Sequence, residues 1–298
     1  MDQIKRIDTV KDYNAWIGVE TFHPLVSIII FDEISAVREF RGCMGVYAIF
    51  FKNLECGDIT YGCQPYDYDN GTLIFVAPGQ VYDVDDNDIM TKPSGYGLIF
   101  NMDLLVGSHL ENSIRDYTFF SYEAREALHL SKREGNVILD CLRKIAVEIN
   151  QNIDNHSKTL IVNNIELLLN YCMRFYDRQF ITRTHVNRDI LVRFAALLDD
   201  YFKTGKTQLL GLPTVAYCAE KLDLSTNYFG DLIKMETGST ALDLLQFAVI
   251  EEAKLRMFEG NASIRKIGHQ LGFKYQQHFI HLFKQKTGVT PHEFRHQN

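Results

Sequence analysis

The sequence predicts an α+β chain of two domains: an N-terminal β-barrel carrying a helical hairpin, then an all-α domain built from a duplicated helical unit. Three observations lead there. Up to about residue 100, β-branched and aromatic runs alternate with Gly, Pro, Asn and Asp, the pattern of an antiparallel sandwich or barrel. After Asn136 the apolar period lengthens from two residues to that of a helix. Beyond Asp189 the chain repeats itself at a spacing of about 50 residues. A length of 298 residues accommodates two cores.

In chain order, the expected strands are Val26–Phe31, Gly45–Phe51, Asp58–Tyr61, Leu73–Ala77 and Gly95–Phe100. The hairpin is expected over 136–176. Ile138, Cys141, Leu142, Ile145 and Ile149 share one helical face, and Ile161, Ile165, Leu168, Leu169 and Cys172 share another, across the polar break Asn150–Lys158. Two such stripes exceed what one side of a barrel needs, which predicts a homodimer built through the hairpin with Ile145 and Leu168 in its interface. Tyr176–Asp189, rich in Arg, Thr and Asn and poor in aliphatics, reads as a linker between domains at 1–180 and 190–298.

Composition narrows the function. The chain is 46% hydrophobic and 23% charged, as in globular proteins, with no bilayer-length apolar run. Its start, Met-Asp-Gln-Ile-Lys-Arg, lacks a signal-peptide pattern, so a cytoplasmic protein with no membrane partner is expected. Cys43, Cys56, Cys63, Cys141, Cys172 and Cys218 form no CxxC pair and read as small hydrophobes in a reducing compartment. The net charge of -7 is uneven: residues 1–188 hold 18 Lys+Arg against 26 Asp+Glu, giving -8, while 189–298 hold 13 against 12, giving +1. Residues 263–298 hold six basic residues against Glu293 alone, a net +5 that suits a phosphate-facing surface.

The repeat superposes Thr214–Gly238 on Ser263–Gly288. Val215, Cys218, Ala219 and Leu222 form the buried face of one helix, and Ile264, Ile267, Gly268 and Leu271 the matching face of the other. After a short break come Phe229, Leu232 and Ile233 in one copy and Phe279, Leu282 and Phe283 in the other, each stripe ending at Thr-Gly, where glycine stops a helix. Thr240 with Asp243 and Thr290 with Glu293 then cap a further helix, Pro291 taking the first helical position. Helix, tight turn, helix is the helix-turn-helix plan, in which the second helix lies in the major groove. The two units are expected at 214–237 and 263–287, and the expected partner is double-stranded DNA.

Ile264–Phe273, with His278-Phe279, Phe283-Lys284, Thr287-Gly288, Thr290-Pro291 and Phe294-Arg295, resembles the signature of AraC/XylS-family transcription regulators. The resemblance covers roughly residues 190–298 and implies a bipartite reader of two successive major-groove faces, its units joined by a linker helix over Ala241–Phe258. Asp231 and His281 stand where that pattern often has Arg, Gly268 where it usually has Ala, and Val249 where Arg is common. An isolated glycine of this kind costs a helix about 1 kcal/mol.

The outward faces supply the candidate DNA contacts: Thr226, Asn227, Tyr228, Asp231 and Lys234 in the first unit, and Tyr275, Gln276, Gln277, His278, His281, Lys284 and Gln285 in the second. Gln pairs with adenine edges, Lys with guanine or phosphate, and Asp231 repels phosphate but accepts from cytosine.

In the N-terminal half, Gly71–Tyr82 with its Pro78-Gly79 turn resembles the strand and turn of a cupin-like sensor barrel, Tyr82 standing where many cupins place a metal-binding His. Residues 1–135 contain no HxH pair, so neither a metal nor any other cofactor is expected, and the chain is read as no enzyme. A barrel that binds a small effector and a filled barrel used only for dimerisation both fit. Tyr66–Gly71 lacks the spacing and final Glu of a calcium loop and reads as a surface turn. The expected function is a sequence-specific transcription regulator that engages RNA polymerase if it activates; the alternative is a cupin-like enzyme or ligand-binding protein with a vestigial DNA-binding tail.

Overall fold

The computed structural model describes residues 5–34, 40–52, 71–84, 94–259 and 262–297, in two compact units, Met1–Thr182 and Arg183–Asn298. The expected strand Asp58–Tyr61, the turn at 66–70, and Cys56 and Cys63 lie outside the described residues.

Unit 1 runs β1 (Lys5–Ile7), α1 (Val10–Ile17), β2 (Val26–Ile30), β3 (Phe40–Met44), β4 (Tyr47–Lys52), β5 (Thr72–Val76), β6 (Val81–Val84), β7 (Gly95–Phe100), α2 (Leu110–Ser113), β8 (Leu128–His129), α3 (Lys132–Ile149) and α4 (Ser157–Thr182). The strands form two sheets, ordered β1-β3-β6 and β2-β7-β4-β5-β8, with no closed ring among the described residues where a barrel was expected. Chain direction switches at Met44-Gly45: the Gly45 N–H donates to the Ile7 carbonyl at 2.7 Å and the Gly79 N–H to the Met44 carbonyl at 2.7 Å. A Cβ on Gly45 would lie 2.9 Å from the Asp8 Cα, so the close approach there requires glycine.

Ile7 of β1, Met44 of β3, Ile29 of β2, Ala48 and Phe50 of β4, Ile74 of β5 and Ile99 of β7 share one core with Tyr13 and Trp16 of α1. Residues of both sheets thus bury a common face. β4 sits between β5 and β7, with Phe50 opposite Ile74 and Gly97, and is buried on both faces. Its continuous apolar run follows from that central place. On the other face Phe75 packs on Phe119 at 4.4 Å between ring centroids.

The hairpin follows. Ser131 and Glu134 form a capping box on α3, and Ser157 is held by the Asp154 carboxylate, its N–H donating at 2.9 Å. The predicted stripes meet inside the unit: Ile145 and Leu168 are fully buried within the monomer, which removes them from any dimer interface. Burial pushes the Tyr117 hydroxyl up to about 12 as it donates to Asn170 Oδ1 at 3.0 Å. Gln179, also buried, accepts from the His129 N–H at 2.8 Å and donates to the Ala127 carbonyl at 3.0 Å, fastening β8 to α4.

The linker expected over Tyr176–Asp189 is helical instead. α4 continues to Thr182, and α5 (Thr184–Lys203) opens unit 2 after Arg183 alone. The stretch lacks aliphatics because its inward positions are polar and bonded: Gln179, Arg183 and Asn187 are buried, and the Asn187 amide donates to Glu236 Oε1 at 2.7 Å. No helix among the described residues is long and apolar enough to cross a membrane.

Candidate nucleic-acid interface

Unit 2 continues with α6 (Lys206–Leu210), α7 (Val215–Lys221), α8 (Thr226–Thr237), α9 (Ala241–Glu259), α10 (Ile264–Gln270), α11 (Gln276–Thr287) and α12 (Pro291–Gln297). The two copies repeat the same local geometry. Thr214 caps α7 by accepting from the Tyr217 N–H, and Ser263 caps α10 by accepting from the Lys266 N–H. Each supporting helix ends on a left-handed residue, Asp223 at φ 59° and Gly272 at φ 94°. The next N–H then reaches back five residues, Leu224 to the Ala219 carbonyl and Phe273 to the Gly268 carbonyl, both at 3.0 Å. Asp tolerates that conformation, but at Gly272 a Cβ would also strike the Gly211 carbonyl carbon at 2.6 Å, so only glycine serves.

α8 and α11 end alike, at Gly238 (φ 72°) and Gly288 (φ 82°), whose N–H groups donate to the Lys234 and Lys284 carbonyls. Phe229, Leu232 and Ile233, and Phe279 and Phe283, are buried against the supporting helices. Gly268 is the seat of the second copy: a Cβ there would lie 3.0 Å from Cδ1 of Phe279, a tight approach to the ring. The corresponding Ala219 is fully buried in the first copy.

Of the first set of candidate contacts, Thr226, Asn227 and Lys234 are exposed. Tyr228 is not: it is 3% exposed, and its hydroxyl accepts from Arg183 Nη1 at 3.3 Å, so its ring lies inside the unit and not on the outer face of α8. Asp231 is half-buried and already engaged within the protein. In the second set Tyr275, Gln276, Gln277, His278, His281, Lys284 and Gln285 are all exposed, spread over the first turn and outer face of α11. The Tyr275 ring stands edge-on to His278 at 5.5 Å.

Charge follows the same asymmetry. Arg265, Lys266, Lys274 and Lys284 are exposed and have no ion pair among the described residues. Lys286 is committed elsewhere, donating to Asp243 Oδ1 at 2.8 Å and so holding that carboxyl below its usual range. Thr290 likewise lowers Glu293 through its backbone N–H. Sequence reasoning missed Arg183, which precedes α5, and Asn187 in its first turn, which both bond to α8; as polar residues they add nothing to an apolar period. Arg295 has Nε and Nη2 shielded from solvent without an acceptor among the described residues, and nothing in the fold explains it.

This duplicated geometry can be set beside known proteins. A profile described as a helix-turn-helix domain matches residues 218–297. The arabinose operon regulatory protein of Salmonella typhimurium is 26% identical over 183 residues, covering 59% of this chain and 57% of that protein. Its Escherichia coli counterpart is 25% identical over 178 residues, covering 59% of this chain and 54% of that protein. The C-terminal unit is a helix-turn-helix domain of the AraC type. The solved C-terminal domain of AraT, a response regulator from Geobacillus stearothermophilus, is 26% identical, with the match covering 37% of this chain and 85% of the AraT chain at a TM-score of 0.32. The chain thus spans about half the length of the curated regulators it matches. Within the AraC-type domain, α9 is the helix that joins the two units, with Val249 buried where a basic residue is common.

Proposed function

We propose that the protein is a sequence-specific DNA-binding transcription regulator acting in the cytoplasm, its AraC-type unit laying α8 and α11 into successive major-groove segments of double-stranded DNA. The observation that carries this reading is the repeated pair of tight turns, which offers two recognition helices with buried apolar backs and polar outer faces. The contacts proposed are Thr226, Asn227 and Lys234 on α8, and Tyr275, Gln276, Gln277, His278, His281, Lys284 and Gln285 at α11. Asp231, which already has a partner inside the protein, is proposed to accept from a cytosine.

Unit 1 is the regulatory half in this reading. The shared core of its two sheets supports a cupin-like arrangement, and Leu160 and Leu167, 43% and 40% exposed on the first half of α4, support a homodimer through the outer side of the hairpin. An activator would also touch RNA polymerase. Both curated relatives are named as operon regulators, which favours this reading over an enzyme. Selection of fragments from a random DNA pool by the full chain tests it: enrichment of one bipartite sequence is expected, and recovery of unenriched DNA would reject sequence-specific reading.

A further inference from the structure

Unit 1 holds a groove between the first turns of α3 and the last turns of α4, with a volume of about 680 Å³. We propose that this groove binds a small organic anion, a carboxylate or phosphate head on an apolar body. That volume suits a compact organic ligand. Its floor is a fixed polar clamp: Arg178 donates from Nε and Nη2 to both oxygens of Glu134, at 3.1 and 3.0 Å, and from Nη2 to the His129 carbonyl at 2.6 Å. Those contacts neutralise Arg178 and Glu134 against each other. Asp177, the other carboxylate of the wall, is engaged within the protein.

Two further cations of the lining stand apart from this clamp. Arg133 and Arg174 are exposed, with no hydrogen bond or ion pair among the described residues. The positive end of α3, on whose first turn Arg133 sits, adds to their field. Like charges facing one groove are relieved by an anion, and guanidinium forks match carboxylate and phosphate oxygens in pairs. The body of the ligand has its own surface: Tyr171 and Phe175 stack at 5.9 Å and 20°, and Val137 and the 65% exposed Ile181 complete an apolar wall. A head paired by the arginines with a ring or chain laid on this wall satisfies both.

The proposal concerns unit 1 and holds whatever the AraC-type unit binds. Calorimetric titration of the full chain with phenyl phosphate and 4-phenylbutyrate, and with inorganic phosphate and benzyl alcohol as head-only and body-only probes, tests it. At least one amphipathic anion should bind saturably, one molecule per chain, and at least about tenfold more tightly than either control. The double change Arg133→Gln with Arg174→Gln should weaken that binding by about tenfold or more, and Tyr171→Ala should also weaken it, while the thermal melt stays that of the parent. Should the double variant melt early, the single Arg174→Gln and Tyr171→Ala proteins give the same comparison. No saturable binding of either anion, equal binding by the variants, or inorganic phosphate binding as tightly as phenyl phosphate would overturn the proposal.

Discussion

Lys286 at the end of the second recognition helix donates to Asp243 in the first turn of the linker helix at 2.8 Å, tying together positions 43 residues apart. The carboxyl of Asp243 is lowered chiefly by this lysine and then by Thr240, and that of Glu293 by Thr290. A group whose pKa is depressed on folding stabilises above its unfolded value, about 4, and loses that contribution as pH falls through the folded value. The resistance of the C-terminal unit to urea should therefore fall below about pH 4. Asp243→Asn should be less stable at neutral pH and should flatten that acid limb; an unchanged limb would separate the pair from the effect.

Tyr228 is buried beneath the exposed face of α8, where its hydroxyl accepts from Arg183. Tyr228→Phe leaves the buried Arg183 with one acceptor fewer, a loss of about 1–2 kcal/mol. Urea titration should show that loss while the preferred DNA sequence stays the same. A changed preference at one base pair would return Tyr228 to the interface.

The second unit should supply most of the affinity that depends on salt. Residues 212–238 hold Lys221 and Lys234 against Glu220, Asp223, Asp231 and Glu236, a net -2, whereas 263–298 is net +5. Lys284→Ala should weaken binding to every sequence and reduce the salt slope by about 1. Gln276→Ala or His281→Ala should cost about 1–3 kcal/mol at the preferred site and little elsewhere. Titrations of selected and random DNA across a salt series distinguish the two. Asp231→Arg is expected to cost stability as well as alter binding, because Asp231 already has a partner inside the protein.

Residues 183–298 should fold and bind DNA alone. The fragment starts at Arg183 because Asn187, Ile190 and Phe194 of α5 are buried, Phe194 meeting Phe229 edge-on at 5.2 Å. A fragment from 204 onward should unfold at lower urea, since it lacks that brace; equal midpoints would show α5 to be dispensable.

Much of this was legible in the sequence, for reasons particular to each element. Val26, Gly45 and Gly95 open apolar runs between turn residues, and β2, β4 and β7 lie there. The Thr-Gly stops and the Thr240 and Thr290 caps are local chemistry and are found where their residues stand. Long-range packing was not legible. The stripes of Ile145 and Leu168 identified helices correctly, but periodicity does not say whether a stripe is covered by its own chain or by a second one. Tyr228 lies one residue from exposed Asn227 and looks equally polar, yet its position on α8 turns it toward Arg183. Helical polar stretches such as Tyr176–Asp189 read as linkers whenever the buried side is held by hydrogen bonds instead of aliphatics.

Gly268→Ala separates propensity from packing. Alanine favours a helix by about 1 kcal/mol over glycine, whereas overfilling a closed site costs about 1–3 kcal/mol. Phe279 is fully buried between Phe273 and Phe283, at 5.3 and 5.9 Å, and has little room to retreat. The variant should lose stability despite its better intrinsic preference, as read by a lower urea midpoint; a gain would show that the Phe279 ring can shift.

The same contact makes the two halves of the duplication differ at their joint. Ala219 fills its place in the first half with a buried methyl, whereas in the second a methyl at Gly268 would come within 3.0 Å of the Phe279 ring, so each half is fitted to its own helix. Grafting α11 onto the first supporting helix, or α8 onto the second, would bring the wrong spacer with it. Exposed side chains such as Gln276 and His281 can therefore be exchanged one at a time, but whole helices travel only with their partners.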